Sequence, residues 1–239
     1  TIPNDVANPA GPYGGVVPVP NAGTGFNPPM NPNNPAMPGN HSLVVRKNAS
    51  GQWMDANGGN WTSIVTGGIA GTARTAGWDM PDRDVAHINA NSPSTASVTY
   101  TSHLGNILMA MAVHPQSGEV YVVGTDATNE VRFEPNLNGK FLRVNVSRFA
   151  PAGSPTITDL NPHINYSTHT SPPVLRKQSL GDPRSIVWKA DGTKAYVTGM
   201  GSNNIITITP TGARTTPDPI VVGQGPTGIV LDEANNKGR

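Results

Sequence analysis

The chain has 239 residues, 36% of them apolar, 5% aromatic and 13% charged, with 27 glycines, 24 prolines and no cysteine. Sixteen basic side chains against 15 acidic ones leave a formal charge of +1, which offers no broad field for a polyanion and sets nucleic-acid binding aside. The missing cysteine excludes a disulfide framework, a thiolate zinc site, a Cys-x-x-Cys-His haem attachment and a cysteine nucleophile. No apolar run approaches the roughly 20 residues that span a bilayer.

Residues 1–40 hold ten prolines and eight asparagines, with Asp5 as their only charge. Proline lacks the ladder donor, so this segment reads as an extended Pro/Asn-rich arm, either a linker or a strap that docks through Val16, Val17, Val19, Phe26 and Met30. Thr1 in place of an initiator methionine points to a removed leader or a cleaved fragment. From residue 41 to 239 the pattern turns strand-like. Strands are expected at Ser42 to Lys47, Trp61 to Val65, Asp84 to Ala90, Ser97 to Thr101, Leu108 to Val113, Val120 to Gly124, Glu130 to Glu134 and Phe141 to Val146. Glycine, asparagine and proline punctuate them, and no convincing amphipathic helix is visible.

A strand-turn-strand unit recurs. Ala112-Val113-His114-Pro115-Gln116-Ser117-Gly118-Glu119-Val120-Tyr121-Val122-Val123-Gly124 is followed by Ile186-Val187-Trp188-Lys189-Ala190-Asp191-Gly192-Thr193-Lys194-Ala195-Tyr196-Val197-Thr198-Gly199, and Ile229-Val230-Leu231-Asp232 opens another copy. Third strands are expected at Asp84 to Asn89, Glu130 to Pro135 and Asn204 to Pro210, with an inserted loop at about 148–180 accounting for the longer middle interval. Units of this size cannot bury their faces alone and must stack. The reading is therefore all-β: a β-propeller of four-stranded antiparallel blades, incomplete in this chain because closed rings need roughly 4 to 8 blades.

At Asp182-Pro183-Arg184-Ser185-Ile186-Val187 through Lys194-Ala195-Tyr196-Val197-Thr198-Gly199, and again at Gly225-Pro226-Thr227-Gly228-Ile229-Val230, the chain resembles bacterial YVTN-type β-propeller proteins. The resemblance covers about residues 80–239, with Gly199 standing where the motif has Asn. It implies an exported protein, secreted, at the cell surface or in the periplasm. Members of the family include surface-layer modules, lactonase-like enzymes and propellers joined to haem peroxidase domains.

Several motifs carry candidate chemistry. Trp78-Asp79-Met80-Pro81-Asp82-Arg83-Asp84 sets three carboxylates on a proline-bent loop, and Asp79, Asp82 and Asp84 are candidate ligands for calcium, with loop capping as the plainer role. Asp55-Ala56-Asn57-Gly58-Gly59-Asn60 is a weaker oxygen cluster that reads as a tight turn. His41, His87, His103, His114, His163 and His169 show no ligand spacing, although separate strands can assemble a copper or zinc site from imidazoles. Gly223-Gln224-Gly225-Pro226-Thr227-Gly228 matches a dinucleotide fingerprint, but a strand pattern follows it where the mechanism needs a helix N-terminus. No Gly-x-Ser-x-Gly elbow is present. The expected function is a noncatalytic exported module for protein or surface contact within a larger envelope assembly, its partner another protein, the remainder of the ring or a second copy. The alternative is a piece of a propeller enzyme or metal or redox accessory whose active site lies at the central channel.

Overall fold

The computed structural model describes residues 8–15, 45–55, 58–69, 74–94, 97–127, 142–151, 153–166 and 171–238. The chain forms two units. One comprises Thr1–Pro81, Ala127–Leu142 and Asn165–Ser171, the other Asp82–Asp126, Arg143–Ile164 and Pro172–Arg239.

In the first unit, β1 (Arg46–Lys47) pairs antiparallel with β2 (Trp53–Met54) around a turn in which Asn48 Oδ1 accepts the N–H groups of Ser50 and Gln52. The stretch expected as a strand at Trp61 to Val65 is instead the short helix α1 (Thr62–Val65). Asn60 Oδ1 accepts both the Thr62 N–H at 3.0 Å and its hydroxyl at 2.6 Å, which starts the helical turn. Trp61, Ile64 and Val65 then share one buried face with Trp53, at a spacing of three and four residues that only a helix brings together. Within the 1–40 arm, the Tyr13 ring packs edge-on against Trp61 at 5.9 Å, so residues 8–15 join this small core.

The second unit is a series of antiparallel sheets. A hairpin of β3 (Val85–His87) and β4 (Thr99–Thr101) precedes a four-stranded sheet of β5 (Ile107–Val113), β6 (Val120–Ala127), β7 (Leu142–Phe149) and β8 (Thr156–Asp159) in sequential order. After α2 (Pro173–Gln178) comes a second four-stranded sheet, β9 (Pro183–Trp188), β10 (Ala195–Gly199), β11 (Asn204–Ile208) and β12 (Ile220–Val221), then the hairpin β13 (Leu231–Asp232) and β14 (Lys237–Gly238). The architecture is mostly β, with four-stranded antiparallel sheets, none of them closed among the described residues.

Side-chain alternation explains how these sheets pack. Tyr121, Val123, Val144 and Val146 of the first sheet meet Ile186, Trp188, Ala195, Val197, Ile206 and Ile208 of the second in one core, with β5 lying beside β9. The other face of the first sheet carries Val122 and Phe149, which bury against Val85 and Leu104 from around the β3–β4 hairpin. Aromatic edges close the joint: Tyr121 and Trp188 rings lie 4.7 Å apart at 68°.

The segment Glu130 to Pro135, expected as a third strand, falls outside the described residues, and the third strand of the first sheet is β7. The stretch 148–180 read as an inserted loop contains the end of β7, all of β8 and α2. Extra spacing between the repeats thus divides between the β6–β7 connection at 128–141 and the β8–β9 connection at 160–182. Because successive strands are antiparallel neighbours, the turns after β5, β7, β9 and β11 lie at one end of the sheets. Both long connections leave from the opposite end.

Candidate functional site

Two clusters of polar side chains organise the sheet unit, and the first lies where the carboxylates were expected. Asp82 Oδ2 receives His103 Nδ1 at 2.8 Å and the His103 N–H at 3.1 Å, while Asp84 Oδ2 accepts the Leu104 N–H at 2.8 Å. Ser102 donates its hydroxyl to the Asp82 carbonyl. His103 sits at φ +64°, a left-handed conformation that the two carboxylates hold in place as the chain leaves β4 for the buried Leu104. Burial pushes the Asp84 carboxyl above its ordinary value, the adjacent Asp82 charge adds to that, and the Leu104 N–H opposes it. The Ser102 hydroxyl beside them is committed to a carbonyl rather than held by either carboxylate.

Asp79 belongs to the first unit, where Lys47 Nζ donates to its Oδ2 at 2.6 Å and lowers its pKa. The three carboxylates grouped by sequence therefore have separate partners. Among the described residues no group of three or more His, Cys, Asp or Glu side chains is placed to hold a metal ion. Asp55 is committed as well: its carboxylate accepts from the Tyr13 hydroxyl, the Gly59 N–H and Trp61 Nε1. His87 pairs with Thr101 Oγ1 at 2.8 Å, and His163 Nε2 lies near Leu175 O and Ser179 Oγ. His163 has a lowered pKa, from burial first and the Arg214 charge second. His41 and His169 lie outside the described residues.

The second cluster runs along the turn end of the sheets, and motif spacing did not mark it. His114, buried at the β5–β6 turn, reaches Gly192 O in the β9–β10 turn at 2.8 Å. Gln116 Nε2 donates to Ala190 O at 3.1 Å in that same turn. One unit further on, the Ala190 N–H donates to Glu233 Oε1 at 2.6 Å. Tyr121 adds a hydroxyl bond to Pro210 O. The signal that finds this rim is the repeat itself: aligning Tyr121 with Tyr196 sets His114 on Lys189, and the third copy continues the position at Asp232. At the opposite end Asn161 exchanges two bonds with Leu180, while Arg214, in the β11–β12 connection, donates to Gln178 O and Pro217 O.

The dinucleotide-like stretch Gly223 to Gly228 links β12 to β13, with the Gly225 N–H bonded to Asn203 Oδ1 and no helix behind it. Beside it, a groove of about 510 Å³ separates the outer face of the second sheet from the last hairpin, lined by Tyr196, Ile205, Ile220, Leu231 and Lys237. Among the described residues no helix is long and apolar enough to cross a membrane.

No protein-family model matches the chain, and no match is found among curated proteins. Among solved structures, Kuenenia stuttgartiensis hydrazine synthase is similar over 59% of this chain and 46% of its own, at 12% identity and a TM-score of 0.41. The likeness thus spans less than half of that chain, and at this score it assigns neither fold nor activity to this one.

Proposed function

We propose that the chain is a wedge of a β-propeller and works as a noncatalytic interaction module, exported and built into a larger assembly at the cell envelope. The observation that carries this reading is an asymmetry between the two ends of the sheets. At one end the turns are tied to one another through His114, Gln116 and Glu233. At the other end the connections at 128–141 and 160–182 are the longest between consecutive strands of the two four-stranded sheets and their junction. A stack braced along one rim fixes the strand ends from which the long connections depart, and connections mounted on fixed ends suit recognition of another protein. Side-by-side inner strands β5 and β9, with cores on both faces of the first sheet, support radial stacking of blades. The YVTN-like hairpins support export.

Elemental analysis combined with sedimentation equilibrium of the purified chain tests this. The expected result is concentration-dependent association with no stoichiometric transition metal. A strictly monomeric protein that retains one equivalent of a transition ion through dialysis overturns the reading in favour of a metal or redox accessory.

A further inference from the structure

We infer that His114 is an acid-sensitive latch of the β5–β6 turn, which the same ring ties to the second sheet. Its Nδ1 faces two backbone donors, the N–H groups of Gln116 at 3.2 Å and Ser117 at 3.1 Å, so that nitrogen must present a lone pair. The proton then sits on Nε2, which donates to Gly192 O at 2.8 Å. One neutral tautomer satisfies all three bonds. A proton added to Nδ1 points a third N–H at two others, so the β5–β6 turn loses both of its bonds to the ring while Nε2–H can still donate to Gly192 O.

Among the described residues the ring faces aromatic edges and charged groups that already have partners. Trp188 stands edge-on to the ring at 4.5 Å and Tyr121 lies at 6.1 Å. Glu119, on the same turn, is held by Arg148 Nη1 at 3.1 Å and by the Ser117 hydroxyl. The facing turn carries Lys189, Asp191 and Lys194, of which Lys189 and Asp191 pair with each other at 2.6 Å. Gly192 itself, at φ +70°, would place a Cβ 2.7 Å from His114 Cε1, so the ring occupies its seat without slack.

The third repeat shows how the same turn works without a titrating ring. Asp232 stands at the position of His114, and its Oδ1 accepts the Asn235 N–H at 3.3 Å and the Asn235 side chain at 3.1 Å. His114→Asn borrows that arrangement in a form that does not titrate near neutrality. The inference stands whether or not the loops at the other end bind a partner.

Hydrogen exchange on the full chain, corrected for intrinsic rates, reads the latch directly at the amides of Gln116 and Ser117. Protection at both is expected to fall about tenfold between pH 7.5 and 5.5 in the wild type and to stay level in His114→Asn. Unchanged wild-type protection overturns the inference, as does an equal fall in the variant. Should the variant fail to fold, nitrogen-15 shifts of the wild-type imidazole decide. A neutral Nε2–H ring at pH 7.5 supports the latch, and the Nδ1–H tautomer or an imidazolium at that pH overturns it.

Discussion

The two four-stranded sheets share a topology yet differ in what covers them. The first is buried on both faces: Tyr121, Val122 and Val123 follow one another in β6, all at 2% exposure or less. The second alternates. Ile206 and Ile208 of β11 are buried while Ile205 and Thr207 are half-exposed, and Tyr196 in β10 follows the same rule. An inner sheet tolerates a continuous apolar run, whereas an outer one needs period-two patterning, so the difference in sequence pattern records position in the stack.

The sharpest way to break this comparison is to truncate aromatics on opposite faces of the second sheet. Trp188→Ala should cost about 3–5 kcal/mol in chemical denaturation, because the joint cannot refill the volume, and Trp188 Nε1 has no hydrogen-bond partner to strand. Tyr196→Ala should cost about 1 kcal/mol or less. Equal losses would mean that a further layer covers the outer face. A smaller contrast comes from glycines at turns. Gly192→Ala meets His114 at 2.7 Å, whereas Gly118→Ala, at a similar φ of +73°, meets nothing within 4 Å. Gly118→Ala should therefore cost about 1 kcal/mol through backbone strain alone and Gly192→Ala clearly more. Val122→Ala on the second face of the first sheet should cost about 2 kcal/mol, against about 1 kcal/mol or less for Ile205→Ala.

Acid and base limbs provide the smallest effects. The pKa of His163 is lowered by burial, so its contribution is present above the unfolded imidazole value near pH ~6.5 and is lost as pH falls through the folded one. His163→Gln should flatten that part of the stability profile in pH-dependent denaturation. Asp84 behaves oppositely. Its pKa is raised, so its contribution is full below about pH 4 and is lost as pH rises. Asp84→Asn keeps an acceptor for the Leu104 N–H, and its stability relative to wild type should grow between pH 4 and 7. A constant difference across that range would show that the carboxyl is not strained.

Much of the sheet unit was readable from residue pattern alone. The Asp191-Gly192 and Gln116-Ser117-Gly118 turns sit between the strands that their flanking alternation predicts, because turn chemistry and period-two burial act locally. What escaped depended on contacts between distant residues. Trp61 to Val65 is rich in strand formers, yet Asn60 and the Trp53 ring turn it into a helix. Phe141 to Val146 was expected as a strand and Leu142–Phe149 forms one, but its third-strand position in the sheet rests on Val144 and Val146 reaching the shared core. The acidic residues were grouped by proximity in sequence, but Lys47 engages Asp79 whereas His103 and Leu104 engage Asp82 and Asp84. In sequence His114 is one of six histidines without ligand spacing, and its partner Gly192 lies 78 positions away.

The bonds that join adjacent turns ask little of their neighbour: a carbonyl from Gly192 or Ala190, an amide from Ala190. One side of each bond is main chain, so a junction is specified by the side chain that reaches across and, at Gly192, by the glycine that leaves room for it.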